Sequence, residues 1–340
     1  MYFGLSEDQI FFQDNVKKFL EDQLTLDTVK KITEDEDDLA KEELHKGLIN
    51  LGINNILIPE EYGGLGLDLL FATAVSQSLG EGVATLPFLG PYIVAPTAIK
   101  YGASDNQKEK LFADMCENLI NFGIGFSEYF GSRDSSGLNI SDNKVTGKTL
   151  FVLDTDFASH VMIADNKGQI GIVSLDSNDI EMIDLTTVDK TRTYKEMHFS
   201  DTPIEILDKT KSSSFAIEMA LDAGRIIAAA DSLGASQAMI NKAVEYSKER
   251  KQFNRVIGSF QAVKHMCAEM AAELEPCYSL VWHAAHCFDD SSEDARLMAC
   301  LAKSHISEVS KMVSKKATEV HGGMGFTDLL GLHFWFKRIG

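Results

Sequence analysis

Residues 219–265 read MALDAGRIIAAADSLGASQAMINKAVEYSKERKQFNRVIGSFQAVKH, inside a proline-free run from Ile204 to Glu275. Nothing in that run forces a helix to break. Ile226, Ile227, Ala230, Leu233, Met239, Ile240, Ala243 and Val244 recur at helical spacing, so the stretch predicts two long helices. Between them, the segment KERKQFNRVIGSF has turn chemistry at Asn254 and Gly258 and gathers Lys248, Arg250, Lys251 and Arg255 around Phe253. Two readings stay open. The segment is a solvated basic corner, or it is an anion site, because arginine forks and free NH groups at a helix start both suit phosphate.

On the C-terminal side, Ser291-x-x-Asp294 has the form of a capping box for a last long helix through Arg296 to Val320. On the N-terminal side, from Phe122 to about Leu207, short apolar runs are separated by Asp, Asn, Ser and Gly. The runs beginning at Lys144, His160, Gln169 and Ile180 have strand-and-turn spacing and predict an antiparallel β domain of about 85 residues. Further back, Ser6 opens a capped amphipathic helix carrying Ile10, Phe11, Val16, Phe19 and Leu20. Helical patterns follow over Lys41 to Leu51, Leu69 to Leu79, Pro96 to Tyr101 and Asn106 to Phe122. They are interrupted by the proline and glycines of Asn54 to Gly66 and by an irregular crossing over Thr85 to Pro91. The order helical, β, helical argues for layered subdomains and against an alternating parallel sheet. The expected class is α+β, mainly α, divided as 1–121, 122–207 and 208–340.

With 340 residues, 44% apolar and 24% charged, the chain has the composition of a soluble globular protein able to bury a sizeable core. Its 32 Lys and Arg against 51 Asp and Glu give a net charge of -19. That field disfavours nucleic acid and anionic membranes, so a phosphate ligand has to be met by a local basic pocket. Five cysteines, without C-x-x-C spacing, suit neither a metal site nor a disulfide framework. Met1 to Leu20 lacks the regions of a secretory leader, and no run reaches the ~18 apolar residues of a membrane span. The expectation is a cytoplasmic protein without metal.

Tyr246-x-x-x-Arg250-x-Gln252-Phe253, followed by Phe260-Gln261-Ala262-Val263, resembles the signature of the acyl-CoA dehydrogenases. These FAD enzymes introduce a double bond α,β to a CoA thioester. Ile58-Pro-Glu-Glu-Tyr-Gly-Gly-Leu-Gly66 upstream and Val320-His-Gly-Gly-Met-Gly-Phe326 downstream agree with that family in order and distance. The resemblance implies an N-terminal helical domain, a middle antiparallel β-barrel domain and a C-terminal four-helix bundle. It makes Arg250, Gln252, Phe253 and Gln261 contacts to the adenosine-diphosphate portion of FAD, with His321, Gly322 and Gly323 serving the cofactor from a neighbouring subunit. Ser127 falls where the family has a hydroxyl against the flavin ring, and Phe151 where many members place a tryptophan. Leu221-Asp222-Ala223-Gly224-Arg225 matches the helix lining the acyl-CoA channel, which makes Asp222 and Arg225 substrate-side residues; a plain surface pair is the alternative. An electron-transfer flavoprotein is the implied redox partner, and a homo- or hetero-oligomer with another acyl-CoA dehydrogenase subunit the implied assembly.

The chain departs from the family at the catalytic base, the carboxylate that takes the α proton as hydride leaves the β carbon. Most members carry it well beyond the Gly-Gly motif, but the stretch to Gly340 holds no Tyr-Glu-Gly segment. A minority carry it at the position of Gly224, which has no side chain to serve. Asp231 lies seven residues later, only about 20° further round a helix, among Ala228, Ala229, Ala230 and Leu233. An apolar setting suits a base, so Asp231 is the candidate. Two alternatives remain: a carboxylate satisfied by a cation from another helix, or a base supplied by a partner chain. In the latter case the protein is a catalytically silent, FAD-binding partner subunit.

Overall fold

Ser6 does cap the first helix. In the computed structural model, which describes residues 4–35 and 37–340, helix α1 (Glu7–Gln23) begins with a reciprocal box in which Gln9 N donates to Ser6 Oγ at 3.2 Å and Ser6 N donates to Gln9 Oε1 at 2.8 Å. A short helix α2 (Leu26–Glu34), capped by Thr25, was not foreseen. Helix α3 (Asp38–Asn50) is followed by Gly52 in the left-handed region at φ 82. The Pro59 and glycine segment forms two short 3-10 turns, and α4 (Leu69–Glu81) follows. Helix α5 (Ala95–Gly102) continues a π-helical turn over Gly90–Val94. Helix α6 (Asp105–Cys116) stops six residues short of the expected end because Phe122 already belongs to a strand.

That strand, β1 (Phe122–Gly125), precedes β2 (Gly137–Ser141), β3 (Lys144–Leu153), β4 (His160–Ala164), β5 (Ile170–Ser174), β6 (Ile180–Asp184), β7 (Tyr194–Pro203) and β8 (Glu205–Ile206). The sheet order is β6-β7-β3-β1-β4-β5-β8, with β2 added on β3. Two expectations are corrected here. Among the described residues the sheet does not close into a barrel, since β6 and β8 end the order unpaired with each other. Nor is it purely antiparallel: β1 and β4 run parallel from Phe122 against His160 to Gly125 against Ile163. The β2–β3 hairpin takes the chain away from β1 and back past it, so β4 enters beside β1 in the same direction. Val145, Val152, Val161, Ile163, Val173, Met197, Phe199 and Ile204 form the apolar core of this sheet.

Helix α7 (Phe215–Glu249) leads through a two-stranded hairpin, β9 (Lys251–Gln252) and β10 (Arg255–Val256), to α8 (Gln261–Asp289), α9 (Ala295–His321) and α10 (Leu332–Ile339). The C-terminal segment supplies three long helices and a two-turn fourth. Pro276 sits inside α8 without ending it. The capping box at Ser291 does not form. Ser291 has φ 52, Asp294 takes the N-cap without a side-chain bond, and α9 starts at Ala295.

Packing gathers these elements into two compact units. One comprises the residues up to Leu48, Leu69–Thr85 and Arg225–Gly340; the other comprises Ile49–Asp68 and Leu86–Gly224. In the first unit, α4 and α7 cross with no side chain between their backbones. A Cβ on Gly80 would lie 2.0 Å from Asp231 O, and one on Gly234 would lie 1.9 Å from Gln77 O. Ser76 Oγ, nearby on α4, donates to Ile227 O at 2.9 Å. Alanine is worth about 1 kcal/mol over glycine in a helix, but an inserted methyl forces the helices apart at a typical cost of ~1–3 kcal/mol. Gly234→Ala is expected to lower the urea midpoint of unfolding, and an unchanged or raised midpoint would show that the crossing is not tight.

Candidate functional site

The basic turn foreseen at the end of α7 is a hairpin. Gln252 pairs with Arg255 and Lys251 with Val256, leaving Phe253 and Asn254 at the tip with φ 54 and 63. Two consecutive positive φ values are the mark of a type I′ turn, which favours Asn and Gly and strains an aromatic. Phe253 is nevertheless 87% exposed, with its ring edge-on to Phe260 at 6.1 Å. The Arg255 guanidinium lies 3.9 Å from the Phe260 ring centroid. Arg250, Gln252 and Gln261 are exposed around the same corner, Gln261 opening α8. An uncovered aromatic ring beside exposed guanidinium and amide groups has the chemistry to meet a flat, phosphate-bearing ligand.

The Gly-Gly motif lies at the end of α9. The His321 ring is buried against Tyr246, with centroids 4.6 Å apart, and its Nδ1 donates to Ala317 O at 2.7 Å. Burial pushes the His321 imidazole below its ordinary range. The ring is thus a packing element, and the exposed part of the motif is the Gly322–Gly323 backbone. Gly322 needs glycine for its φ of 58, and Gly325 needs it because a Cβ would meet Thr318 O at 2.6 Å. Gly323 has neither reason, since nothing lies within 4 Å of its Cβ position. A glycine that its own chain does not require fits close approach by an outside group. Tyr246 is one turn before Arg250, so its stack on His321 sets the two motifs side by side in one chain.

In the sheet, the Ser127 hydroxyl lies 2.8 Å from Glu128 Oε2 and 2.5 Å from Leu150 O. Buried Glu128 also accepts from the Thr149 hydroxyl and, at 3.0 Å, from Leu150 N. Ser127 is therefore turned inward. Phe151, two strand positions from Thr149, stands at an irregularity in β3 with φ 54 and is 46% exposed. On α7, Asp222 is buried and Arg225 half-buried, and both have partners. A Cβ on Gly224 would make only ordinary contacts, 3.4 Å to Val94 and 4.0 Å to Leu89, so no close packing excludes a side chain there.

Asp231 is engaged from α10. Arg338 donates from Nε to Oδ2 at 2.9 Å and from Nη2 to Oδ1 at 2.6 Å, and its Nη1 donates to Ala84 O at 2.8 Å. The two side chains are 3% and 9% exposed. This is the first alternative left open above, a carboxylate satisfied by an arginine of another helix. Such a fork stabilises the ionised carboxylate and occupies both of its oxygens. Trp335, one turn before Arg338, donates its indole NH to Glu81 O at 2.9 Å. Neither residue was foreseen; the spacing Trp335-x-x-Arg338 on an eight-residue helix is the trace they leave in the sequence. Among the described residues no His, Cys, Asp or Glu cluster is arranged for a metal, and no helix is long and apolar enough to cross a membrane.

The basic hairpin corner after α7 and the glycine turn after α9 point to a class, and comparison with known families agrees. The acyl-CoA dehydrogenase N-terminal domain matches residues 6–118 and the acyl-CoA dehydrogenase C-terminal domain residues 215–339, and the chain belongs to the acyl-CoA dehydrogenase family. Members of this family are FAD-binding flavoproteins. Among its relatives, the short-chain specific acyl-CoA dehydrogenase of Megasphaera elsdenii is 28% identical, over 96% of this chain and 91% of that protein. The caffeyl-CoA reductase-Etf complex subunit CarC of Acetobacterium woodii is 25% identical, over 96% and 90%. The 3-(aryl)acrylate reductase of Clostridium sporogenes is 27% identical, over 88% and 85%. In fold, the chain is similar to butyryl-CoA dehydrogenase from Megasphaera elsdenii at a TM-score of 0.86 and 22% identity, covering 100% of this chain and 94% of that one.

Two outcomes are expected. Asp231→Asn leaves the Arg338 charge buried without its counter-ion, which typically costs about 3–5 kcal/mol, so its denaturant midpoint is expected to fall well below the parent's. A midpoint within error of the parent would remove the pair from the frame. Burial holds the His321 pKa in the folded chain below the ordinary value of 6.5, so as pH falls the unfolded chain takes up this proton first. Stability is therefore complete above that value and is lost as pH falls through it. Unfolding scans from pH 7.5 to 5 are expected to show the loss, and a His321→Gln chain to show less of it.

Proposed function

We propose that this protein binds FAD and takes part in α,β oxidoreduction of an acyl-CoA thioester, exchanging electrons with an electron-transfer flavoprotein. The observation that carries the reading is the uncovered hairpin tip, where a strained aromatic and Arg250 stand together beside Gln252 and Gln261. Arg250 holds pyrophosphate, Phe253 and Gln261 pack against the adenine end, and the Gly322–Gly323 backbone gives room for close approach. Bound FAD supplies the two-electron redox chemistry. Asp222 and Arg225 line the substrate side of α7, and Arg225 orients the thioester end. Phe151, not the inward-turned Ser127 hydroxyl, is the side chain available to cover the ring. The names of the caffeyl-CoA reductase-Etf complex and the 3-(aryl)acrylate reductase support a unit that works with electron-transfer flavoprotein and allow the same bond to be reduced as well as formed.

A second reading has its own observation. Asp231 is clamped by Arg338, and Gly224 offers no side chain, so the two positions that the sequence nominates for the base are respectively occupied and empty. On this reading the chain is a flavin-binding partner subunit, and the α proton is taken by a group from an associated acyl-CoA dehydrogenase subunit. Asp231 is then a positioning residue of α7.

Absorption spectra separate the readings. The purified chain is expected to carry flavin; bleaching by short-chain acyl-CoA under anaerobic conditions supports an active subunit, and a yellow protein that no acyl-CoA bleaches supports the partner role. Arg250→Ala is expected to bind FAD at least tenfold more weakly while keeping its helix content, since a charge-assisted bond to phosphate is worth ~1.5–3 kcal/mol. Equal affinity in the variant would remove Arg250 from the site.

A further inference from the structure

A cavity of about 370 Å³ in the first unit is lined from α1, α2, α4, α7 and α10 and has no part in the flavin reading. Leu20, Leu24, Val29 and Val83 give it apolar walls, and Trp335 gives it an aromatic one. Trp335 is fixed in place, because its indole NH is bound to Glu81 O. Two ammonium groups, Lys17 and Lys242, and three carboxylates, Glu21, Glu81 and Glu245, line the cavity, and the two ammonium groups are not alike. Lys17 is paired with Glu81 at 2.9 Å. Lys242 lies 4.6 Å from the Trp335 ring centroid and makes no ion pair or side-chain hydrogen bond among the described residues. A ring face attracts the charge but accepts none of the three ammonium protons as a carboxylate would. Burial accordingly pushes the Lys242 pKa down, opposed only by the exposed Glu245 one turn further along α7.

A half-buried, unpaired ammonium beside rigid apolar walls is the complement of a small amphipathic anion. We propose that the cavity binds a small apolar carboxylate, aliphatic or aromatic, whose anionic end takes the Lys242 ammonium while its hydrocarbon body lies against Leu20, Leu24, Val29 and Trp335. The ligand is a free acid, because converting its carboxylate to a neutral ester or thioester group removes the anion at the end that meets Lys242. A cavity of this size falls at the small end of ligand sites and suits a molecule the size of octanoate or 3-phenylpropionate.

Both acids serve as probes on the full chain in the presence of saturating FAD, read by calorimetric titration and thermal unfolding. The expected result is binding of at least one acid with a raised unfolding temperature, at least tenfold weaker in Lys242→Met and retained in Lys242→Arg. Octan-1-ol and octylamine are expected to give no comparable shift. A second measurement needs no variant: the acid should protect Lys242 severalfold from amine-reactive labelling, followed by peptide mass spectrometry. Absence of binding by both acids, equal binding by Lys242→Met or by octan-1-ol, or undiminished labelling of Lys242 would each overturn the proposal. None of these outcomes depends on flavin bleaching, so the fate of the redox reading is decided separately.

Discussion

Direct backbone contact between α4 and α7 is the constraint from which the first unit is built. Because Gly80 and Gly234 remove the side chains at the crossing, the Asp231 carbonyl lies against Gly80. The carboxylate of that same residue is held by Arg338, whose third bond reaches Ala84 just past the end of α4. Trp335 takes a carbonyl of the last α4 turn, one of the groups a helix end leaves unpaired. A short helix thereby fastens two long ones at one point. A buried ion pair adds little net stability compared with apolar side chains of the same size. What it adds here is register, since only one sliding position of α7 along α4 brings Asp231 to the Arg338 fork.

How far the sequence discloses this depends on whether a feature is local. The Ser6 box, the break between α7 and α8, and β3 from Lys144 to Leu153 are governed by neighbours within a few residues, and each lies where periodicity put it. Strand β7, Tyr194–Pro203, escapes because only part of it is buried and its Lys, Glu, Ser, Asp and Thr residues mimic a loop. The parallel pairing of β1 with β4 escapes because no short-range pattern encodes strand direction. Pro276 closes the proline-free run, yet α8 runs through it. The Asp231–Arg338 pair spans 107 residues, so the sequence can offer a buried carboxylate there but cannot name its partner.

Within the candidate site, a simple distinction separates frame from function. Asp231, His321 and Ser127 have their polar atoms engaged by the chain itself. Phe253 and Gly323 do not fit that description. One is strained and uncovered, the other a glycine that no internal contact requires. The residue types named from family resemblance fall on both sides of this line, which resemblance alone does not draw. The line runs through single motifs as well, since the histidine of His321-Gly-Gly is packed inward and the glycines after it face out.

The division into two units also bears on how the protein is made. Residues up to Leu48 and Leu69–Thr85 belong with Arg225–Gly340, while the intervening unit ends at Gly224. On the ribosome, α1 and α4 emerge first and complete their packing last, because the Gly234 crossing arrives only after the inserted unit, and the Arg338 fork only after α7, α8 and α9 as well. At ~5–20 residues per second the delay is on the order of tens of seconds. Until then α1 and α4 have each other to pack against, but the face that α4 turns to α8 stays uncovered. Chaperone holding of the nascent N-terminal helices is thus a demand set by topology, and one that a version with its N-terminal helices circularly permuted onto the C-terminal segment would not face.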